Sequence, residues 1–484
     1  MQFTVIQRIL GILLALFSLT LLPPMAIAWW FGNIASLTAF LTAFCIILVI
    51  GLVFWFPVRN IRNELRMRDG FIIVVLFWTG LGLTGSIPLI LSEVPHLSFT
   101  DATFESISGL TTTGATVITG IDNLPPSIKF YRQELQWLGG MGIIVLAVAI
   151  LPLLGIGGMQ LYKAEIPGPL KDSKMTPRIT ETAKALWYIY LTMTIACATL
   201  YWLAGMPVFD AISHSFSTIS IGGFSTHDLS IGYYNSPLIE GIAVIFMLLS
   251  GINFTLHFLA WQNTSIKPYL SDTELKAFFT FLIAICTVCC VYLIIKGNYS
   301  DAASAISDGI FQTVSIATTT GFTTTRYQAW PDFLPVLLLF SSFVGACAVS
   351  TGGGLKVIRA LLLFRQGLRE IRRLIHPNAI FTIKINNRPV PERVINAVWG
   401  FFATYISVFV VLLLLLMATG LDQVTAFSAM AACMNNLGPG LGTVSDHYGD
   451  INNAAKWLLC IAMLLGRLEI FTLLVLFTPT FWRK

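Results

Sequence analysis

The chain has 484 residues, 56% of them hydrophobic and only 11% charged, with a mean hydropathy of +0.78. A soluble domain carries about 25% charged residues, so a soluble globular fold, a disordered chain and a disulfide scaffold are all excluded. What remains is an all-α polytopic membrane protein, whose formal charge of +5 is read by its position across a bilayer and not as affinity for nucleic acid.

A hydrocarbon core about 30 Å thick takes roughly 20 apolar helical residues. Ten such stretches follow in chain order, near 5–30, 34–56, 70–91, 134–157, 184–205, 237–262, 276–296, 333–363, 394–420 and 454–478. The first contains Ala26-Ile27-Ala28, which resembles a signal-peptide cleavage site. Only Arg8 precedes its apolar run, so it is read as a true span bent at Pro23-Pro24. Loops 57–69, 158–184, 263–276 and 356–393, with the end 483–484, hold 22 of the 29 Lys and Arg; the opposite side holds Lys129, Arg132, Lys296, Arg326 and Lys456. This alternation predicts both termini in the cytoplasm. The opposite loops are acidic, with Asp101, Asp122, Asp210, Asp228 and Asp308 among twelve carboxylates, a pattern that would draw cations to an outer vestibule.

Four outer segments are too long and too apolar for plain connectors. They read DATFESISGLTTTGAT from Asp101, DAISHSFSTISIGGFS from Asp210, DGIFQTVSIATTTGFT from Asp308 and TAFSAMAACMNNLGPG from Thr425. In each, a glycine stands thirteen residues after the first: Gly114, Gly223, Gly321 and Gly438. A shared register across four loops predicts a repeated unit of span, re-entrant pore helix, glycine-bearing return and span. The expected organisation is a two-helix hairpin over 1–69 and pore repeats over 70–183, 184–275, 276–392 and 393–484. Irregular backbone at membrane depth survives only where protein buries it or it lines a watery cavity. Four such loops from one chain would meet around one pore.

A dehydrating cation needs oxygens in place of its hydration shell, and rings of backbone carbonyls supply them. The carbonyls of Thr111 and Thr112, Ser220 and Ile221, Thr318 and Thr319, and Asn435 and Asn436 are the expected ion ligands, with Thr and Ser hydroxyls as further oxygens. Thr113-Gly114, Gly222-Gly223, Thr320-Gly321 and Leu437-Gly438 would support that backbone, because glycine takes left-handed conformations without a Cβ clash.

The motifs TTTGAT, SIGGFS, TTTGFT and NNLGPGLG, spread over essentially the whole chain, resemble those of the Trk-type bacterial potassium uptake proteins, within the Trk/Ktr/HKT superfamily. The resemblance implies a potassium-translocating subunit in the bacterial inner membrane, with one filter strand per repeat and glycine at all four positions for potassium preference. It also implies a homodimer paired with a cytosolic nucleotide-binding ring. The fourth strand departs most from the pattern, since Asn435, Asn436 and Pro439 replace its threonines.

Two outliers lie on the inner side. Ser350-Thr351-Gly352-Gly353-Gly354-Leu355-Lys356 interrupts an expected helix, and glycine costs about 1 kcal/mol relative to alanine in a helix interior. An unwound segment over 345–356 is expected, against the alternative of close helix packing by small residues; the resemblance makes it a gating loop with Gly352, Gly353, Gly354 and Lys356. Arg467 is a charge within an apolar span, where ionisable groups usually face the bundle interior. The resemblance places it in the pore beneath the filter, and an ion pair with a neighbouring helix or Glu469 is the other reading.

Gly80-Leu81-Gly82-Leu83-Thr84-Gly85 fits a dinucleotide fingerprint in letters but has no preceding strand, so helix packing is expected. The eight cysteines are expected to be buried small hydrophobes, and His214 and His227 polar loop residues. No catalytic grouping or Walker motif is present, and an intramembrane enzyme is disfavoured. The leading function is channel-like potassium permeation. The alternative, an ion-coupled symporter using H+ or Na+, should show broken helices at matching places in two halves, and one clear break is legible.

Overall fold

Apolar helices dominate the computed structural model, which describes residues 2–61, 67–142, 179–468 and 470–483. Six helices are long and apolar enough to cross a membrane: Phe3–Trp30, Ile34–Val58, Arg68–Leu91, Lys184–Leu203, Thr273–Lys296 and Glu392–Ala418. Two further helix pairs qualify jointly but are sharply bent, Pro237–Gly251 with Phe254–Gln262 by 90° and Asn453–Arg467 with Phe471–Phe477 by 106°.

The remaining two expected spans differ. The stretch expected over 134–157 starts earlier, as helix Pro126–Trp137, and runs through a π-helical turn at Leu138–Gly142. Its continuation, and most of the basic loop 158–184, lie outside the described residues, as do Arg62 and Arg66 of loop 57–69 and Glu469. The stretch expected over 333–363 is an eleven-residue helix, Leu334–Val344, that stops at Gly345.

The first two spans form the N-terminal hairpin. They approach closely because two glycines face each other's backbones: a Cβ on Gly11 would lie 2.6 Å from the Trp55 amide nitrogen, and one on Gly51 2.7 Å from that of Ala15. The first span breaks at Thr20–Leu21, just ahead of Pro23-Pro24, which sit in the first turn of Leu22–Trp30. Proline has no N–H to lose there, so it starts the second piece and does not bend it.

Each later pair of spans brackets a short helix that nearly every neighbour buries: Phe99–Leu110, Val208–Ser220, Ala302–Ala317 and Gln423–Met434. Three start on a capping side chain. Ser98 accepts from the Asp101 amide, Asp301 from Ser304, and Asp422 from Val424 and Thr425. Gly82 and Gly85 of the GxGxxG stretch admit the first pore helix: a Cβ on them would meet Ile107 Cγ1 at 2.7 Å and Ser106 Oγ at 2.6 Å.

Beyond the loop that follows Gly345, the amphipathic helix Val357–Ile375 packs Ile358 and Leu362 on Ile383, Ile385, Ile395 and Val398. The small hairpin Lys384–Ile385 with Arg388–Pro389 turns through Asn386 and Asn387, both at positive φ, and is nearly all the strand among the described residues. All eight cysteines are free thiols; five are buried, while Cys45 is exposed on the outside of its apolar span.

Candidate functional site

The four pore helices end in the same way. The residue just past each helix end donates its amide five positions back along the chain: Thr113 to Ser108 at 2.9 Å, Gly222 to Ser217, Thr320 to Ser315 and Leu437 to Ala432 at 2.8 Å each. This is the Schellman closure, which normally puts glycine at the left-handed position before it. Here that position holds Thr112 (φ 56°), Ile221 (55°), Thr319 (69°) and Asn436 (55°). Three are β-branched, for which such a φ is a true outlier. Two residues on, Gly114, Gly223, Gly321 and Gly438 are left-handed again, with φ of 78°, 79°, 83° and 94°. In an ordinary strand successive carbonyls point to opposite sides; alternating handedness turns them toward the same side.

The four glycines close a ring. A Cβ on Gly114 would overlap the carbonyl oxygen of Gly222, one on Gly223 that of Thr320, and one on Gly321 that of Leu437; one on Gly438 would lie 2.6 Å from that of Thr113. Each glycine therefore lies against the residue preceding the next repeat's glycine, in the order one, two, three, four, one. No side chain fits at any of the four positions.

The polar side chains around the strands work mostly as braces. Thr111 and Thr318 donate their hydroxyls to the helix carbonyls of Ile107 and Val314 at 2.7 Å, and each lies 2.8 Å from the hydroxyl two residues on, Thr113 and Thr320. Ser220 Oγ donates to Ser217 O. The helix ends leave carbonyls to satisfy, and these hydroxyls donate to them, while each hydroxyl oxygen keeps its acceptor lone pairs. Ile221 is fully buried. Asn435 is held between two neighbouring helices, accepting from Tyr405 Oη at 2.5 Å and donating to Ser342 Oγ at 2.9 Å. Asn436 donates to Thr113 Oγ1 at 2.9 Å and Met463 O at 3.1 Å, while its buried Oδ1 has no hydrogen-bond partner among the described residues. Gln136 takes the room left by the missing side chain at Gly222, donating to its carbonyl at 2.6 Å and accepting from the Phe224 amide at 3.0 Å.

Beneath the strands, 345–356 is an unwound loop, with left-handed backbone at Gly345, Val349, Gly354 and Lys356. It is bonded to the strands themselves. The Gly353 amide donates to Thr319 Oγ1 at 2.7 Å and the Gly354 amide to Asn435 O at 3.0 Å. Thr351 Oγ1 donates to Ile219 O at 2.9 Å, and the buried Lys356 ammonium to Gly352 O. A Cβ on Gly352 would meet Thr318 O at 2.9 Å, and one on Gly353 would overlap Asn435 O. Glycine is required here by close backbone approach as well as by its cost in a helix.

Arg467 closes the same layer from the fourth repeat. Its guanidinium donates to Gly139 O at 2.5 Å, Gly140 O at 2.6 Å, Thr351 O at 3.1 Å and Thr112 Oγ1 at 3.3 Å. The π-helical turn of the first repeat thus presents its carbonyls to a charge from the fourth, with the third repeat's loop between them. The single break expected from sequence is also corrected: the second spans of repeats two and four bend too. The Ile252–Asn253 bend is stable because its groups are paired, Phe254 N with Val349 O and Cys347 N with Gly251 O, both at 3.0 Å.

Above the ring, two groups escaped the sequence reading. Glu105 and Arg132, 0% and 1% exposed, form an ion pair at 2.7 Å. Glu105 also accepts from Thr116 Oγ1 and Val117 N at 2.9 Å, and Arg132 reaches Ser225 O at 3.3 Å over the Phe224 ring. His227 Nδ1 lies 2.5 Å from Asp122 Oδ1 and its Nε2 3.3 Å from Asp210 Oδ2, with the ring stacked on Tyr233. A neutral imidazole has one N–H, so two flanking carboxylates select the imidazolium. Burial opposes its charge, but the bonds to Asp210 and Asp122 outweigh this and raise its pKa above the usual imidazole value. Burial likewise opposes the Asp122 carboxylate, and His227 and Asp228 outweigh it, so its pKa is lowered. Both histidines were expected to be plain polar loop residues, but His214 is fully buried in the second pore helix. Spacing gives no signal for either group, because the partners stand far apart in the chain: Glu105 and Arg132 are 27 residues apart, and His227 and Asp122 are 105 apart.

Much of the outer acidity is engaged in the fold. Asp101 pairs with Lys456 at 2.6 Å, Asp332 with Lys296 at 2.8 Å and Asp446 with Arg326 at 3.1 Å, while Asp301 and Asp422 cap helices. The open cation-gathering vestibule expected from the sequence is reduced to the carboxylates left over.

Residues 36–484 match the TrkH family model, described as a cation transport protein. Over 486 residues, and all of both chains, the sequence is 61% identical to the Trk system potassium uptake protein TrkH of Vibrio parahaemolyticus serotype O3:K6. It is 57% identical to the protein of that name from Escherichia coli K12, again over all of both chains, and 44% to the TrkG protein of the same strain over 99% of each. The structure superposes on the crystal structure of the potassium transporter TrkH from Vibrio parahaemolyticus with a TM-score of 0.91, at 58% identity and covering all of both chains.

Proposed function

From the premise that this chain belongs to the TrkH family of cation transport proteins, we propose that the four glycine strands form a potassium filter through which ions pass as in a channel. The protein is a multi-pass membrane transporter, not an enzyme, and a potassium uptake subunit of the Trk system, with potassium as its cargo. Within it, the carbonyls of Thr111, Thr112, Ser220, Ile221, Thr318, Thr319, Asn435 and Asn436 are the proposed ligands, and the five-segment division at 69, 183, 275 and 392 delimits the hairpin and the repeats.

The observation that carries this reading is the cyclic contact of the four glycines. Like atoms meeting in the order one to four and back to one are produced by rotation about a common axis, which puts four strands of one handedness around a single path. An inverted two-fold, on which alternating-access symporters are commonly built, does not produce that order. Ion ligation by the carbonyls is supported by the left-handed backbone of three β-branched residues, a strain that persists where a site demands it. The unpaired Asn436 Oδ1 offers one further oxygen.

The loop 345–356 and Arg467 are the proposed gate. Both reach the strands from below, and a fixed positive charge there opposes cation passage until it moves. Control of the gate by a cytosolic nucleotide-binding ring, assembly as a homodimer, and an inner-membrane setting with both termini cytoplasmic complete the proposal. Tracer Rb+ uptake into potassium-loaded proteoliposomes, with Na+ competition, tests it. Channel-like permeation predicts downhill flux without a proton or sodium gradient and competition by K+ over Na+. Flux that stops when the proton gradient is collapsed would establish coupled symport instead.

A further inference from the structure

Each pore helix sends side chains to the chain leaving its glycine, and in three of the four one of them stands at the same position. Nine residues before Gly114, Gly223 and Gly321 stand Glu105, His214 and Gln312. Glu105 holds Thr116 and Val117, His214 Nε2 lies 2.9 Å from Ser225 Oγ, and Gln312 Nε2 donates to Thr325 O at 3.1 Å. In the fourth repeat Ala429 occupies the position and the brace moves one residue earlier. There Ser428 Oγ donates to Leu441 O at 3.0 Å and accepts from Leu441 N at 2.9 Å. All four bracing side chains are fully buried.

In three repeats the register of the brace matches that of the glycine, and in the fourth it is one residue off, so the braces belong to the repeat and not to local packing. Each strand is tied at its inner end by the Schellman amide and at its outer end by the brace, with the left-handed glycine between. Discrimination between cations of equal charge requires the carbonyl cage to keep its size or its ligand number when a smaller ion enters. A segment pinned at both ends resists that adjustment; one pinned only below does not.

The four braces differ in strength. Those of repeats two to four are neutral hydrogen bonds within one repeat, whereas Glu105 is a carboxylate with a guanidinium partner, and charge-assisted bonds are roughly twice as strong. Arg132 also joins two repeats, because it holds both Glu105 beside the first strand and the Ser225 carbonyl beyond the second. We propose that Glu105, His214, Gln312 and Ser428 are positioning residues for ion selection, and that the Glu105–Arg132 bridge carries the largest share. This rests on the reading of the glycine strands as the filter.

The test is the ratio of Na+ to Rb+ uptake in proteoliposomes, since partial misfolding lowers both fluxes together and leaves their ratio alone. The paired change E105Q/R132Q removes the charges without stranding either one, and it is expected to raise the ratio about tenfold, the scale of one strong hydrogen bond. Gln312→Leu and Ser428→Ala should raise it about threefold each, the scale of a weaker neutral bond. If the paired variant does not assemble, the two neutral variants decide. An unchanged ratio in the braces while Gly321→Ala alters it overturns the proposal alone. An unchanged ratio in Gly321→Ala as well overturns the filter reading beneath it.

Discussion

The upper and lower halves of the four repeats follow different rules. At the glycine ring the repeats are nearly interchangeable: one Schellman closure, one left-handed residue and one glycine over a neighbour's carbonyl in each. Just below, the second segments diverge into a π-helical turn at Leu138–Gly142, a 90° bend past Gly251, an open loop from Gly345 and a bend past Arg467. On the proposed reading, a filter ring that presents one spacing to one ion tolerates no odd member, whereas a gate needs only one element able to move. Symmetry is kept where four strands share a task and given up where single repeats act.

The sharpest way to break this comparison is to make one glycine unlike the others. Gly321→Ala combines a left-handed cost of about 1–2 kcal/mol with overlap on Leu437 O that adds about 1–3 kcal/mol. Tracer uptake should therefore lose its preference for Rb+ over Na+ and fall by on the order of a hundredfold. If an alanine there behaved as wild type, the ring would not be the narrow point.

The lower half should respond in the opposite direction. Deleting Gly352–Gly354 removes the amides that bond Thr319 and Asn435 and is expected to raise flux while leaving ion preference largely in place; unchanged flux would remove the loop from the gate. Arg467→Ala should also raise flux, by roughly tenfold for a unit charge acting at several Å in a partly screened site. Lower or equal flux would make Arg467 a brace for the carbonyls of Gly139 and Gly140, not a barrier.

The smallest expected effect lies outside the ring, where Asp122 and Asp210 hold His227. The folded pKa of His227 is raised, so the stability it lends is complete below about pH 6.5, the unfolded imidazole value, and is lost as pH rises through the folded one. Asp122, lowered, lends stability above the ordinary carboxylate range and loses it only on strong acidification. The protection of amides in the loop around Asp228, measured against the intrinsic exchange rate at each pH, should fall toward alkaline pH by a few-fold, as for a partly exposed pair worth about 1 kcal/mol. His227→Gln should flatten that dependence; a profile that keeps its slope would assign the titration elsewhere.

Much of this molecule was legible in the chain. Hydropathy placed eight of the ten spans, and one register fixed the four glycines, because both are local properties of sequence. The glycine run at 352–354 announced a break for the same reason. The bends past Gly251 and Arg467 were not legible, because what permits them is distant: the Ile252–Asn253 bend is paired by Val349 and Cys347, from another repeat. The donor roles of the Thr111 and Thr318 hydroxyls were not legible either, since composition shows that a hydroxyl is present but not which carbonyl it satisfies.

The sequence by itself determined that the chain lies in a membrane, that it repeats one unit four times, and where each unit must bear a glycine. Tertiary structure alone decided that these glycines form a closed ring, that Glu105 meets Arg132, that His227 sits between two carboxylates, and that Arg467 donates to Gly139 and Gly140. The physical reason is range. Periodicity and backbone preference act over a few residues and are written in order along the chain, whereas the groups that satisfy a buried charge or carbonyl come from whichever repeat the ring places beside it.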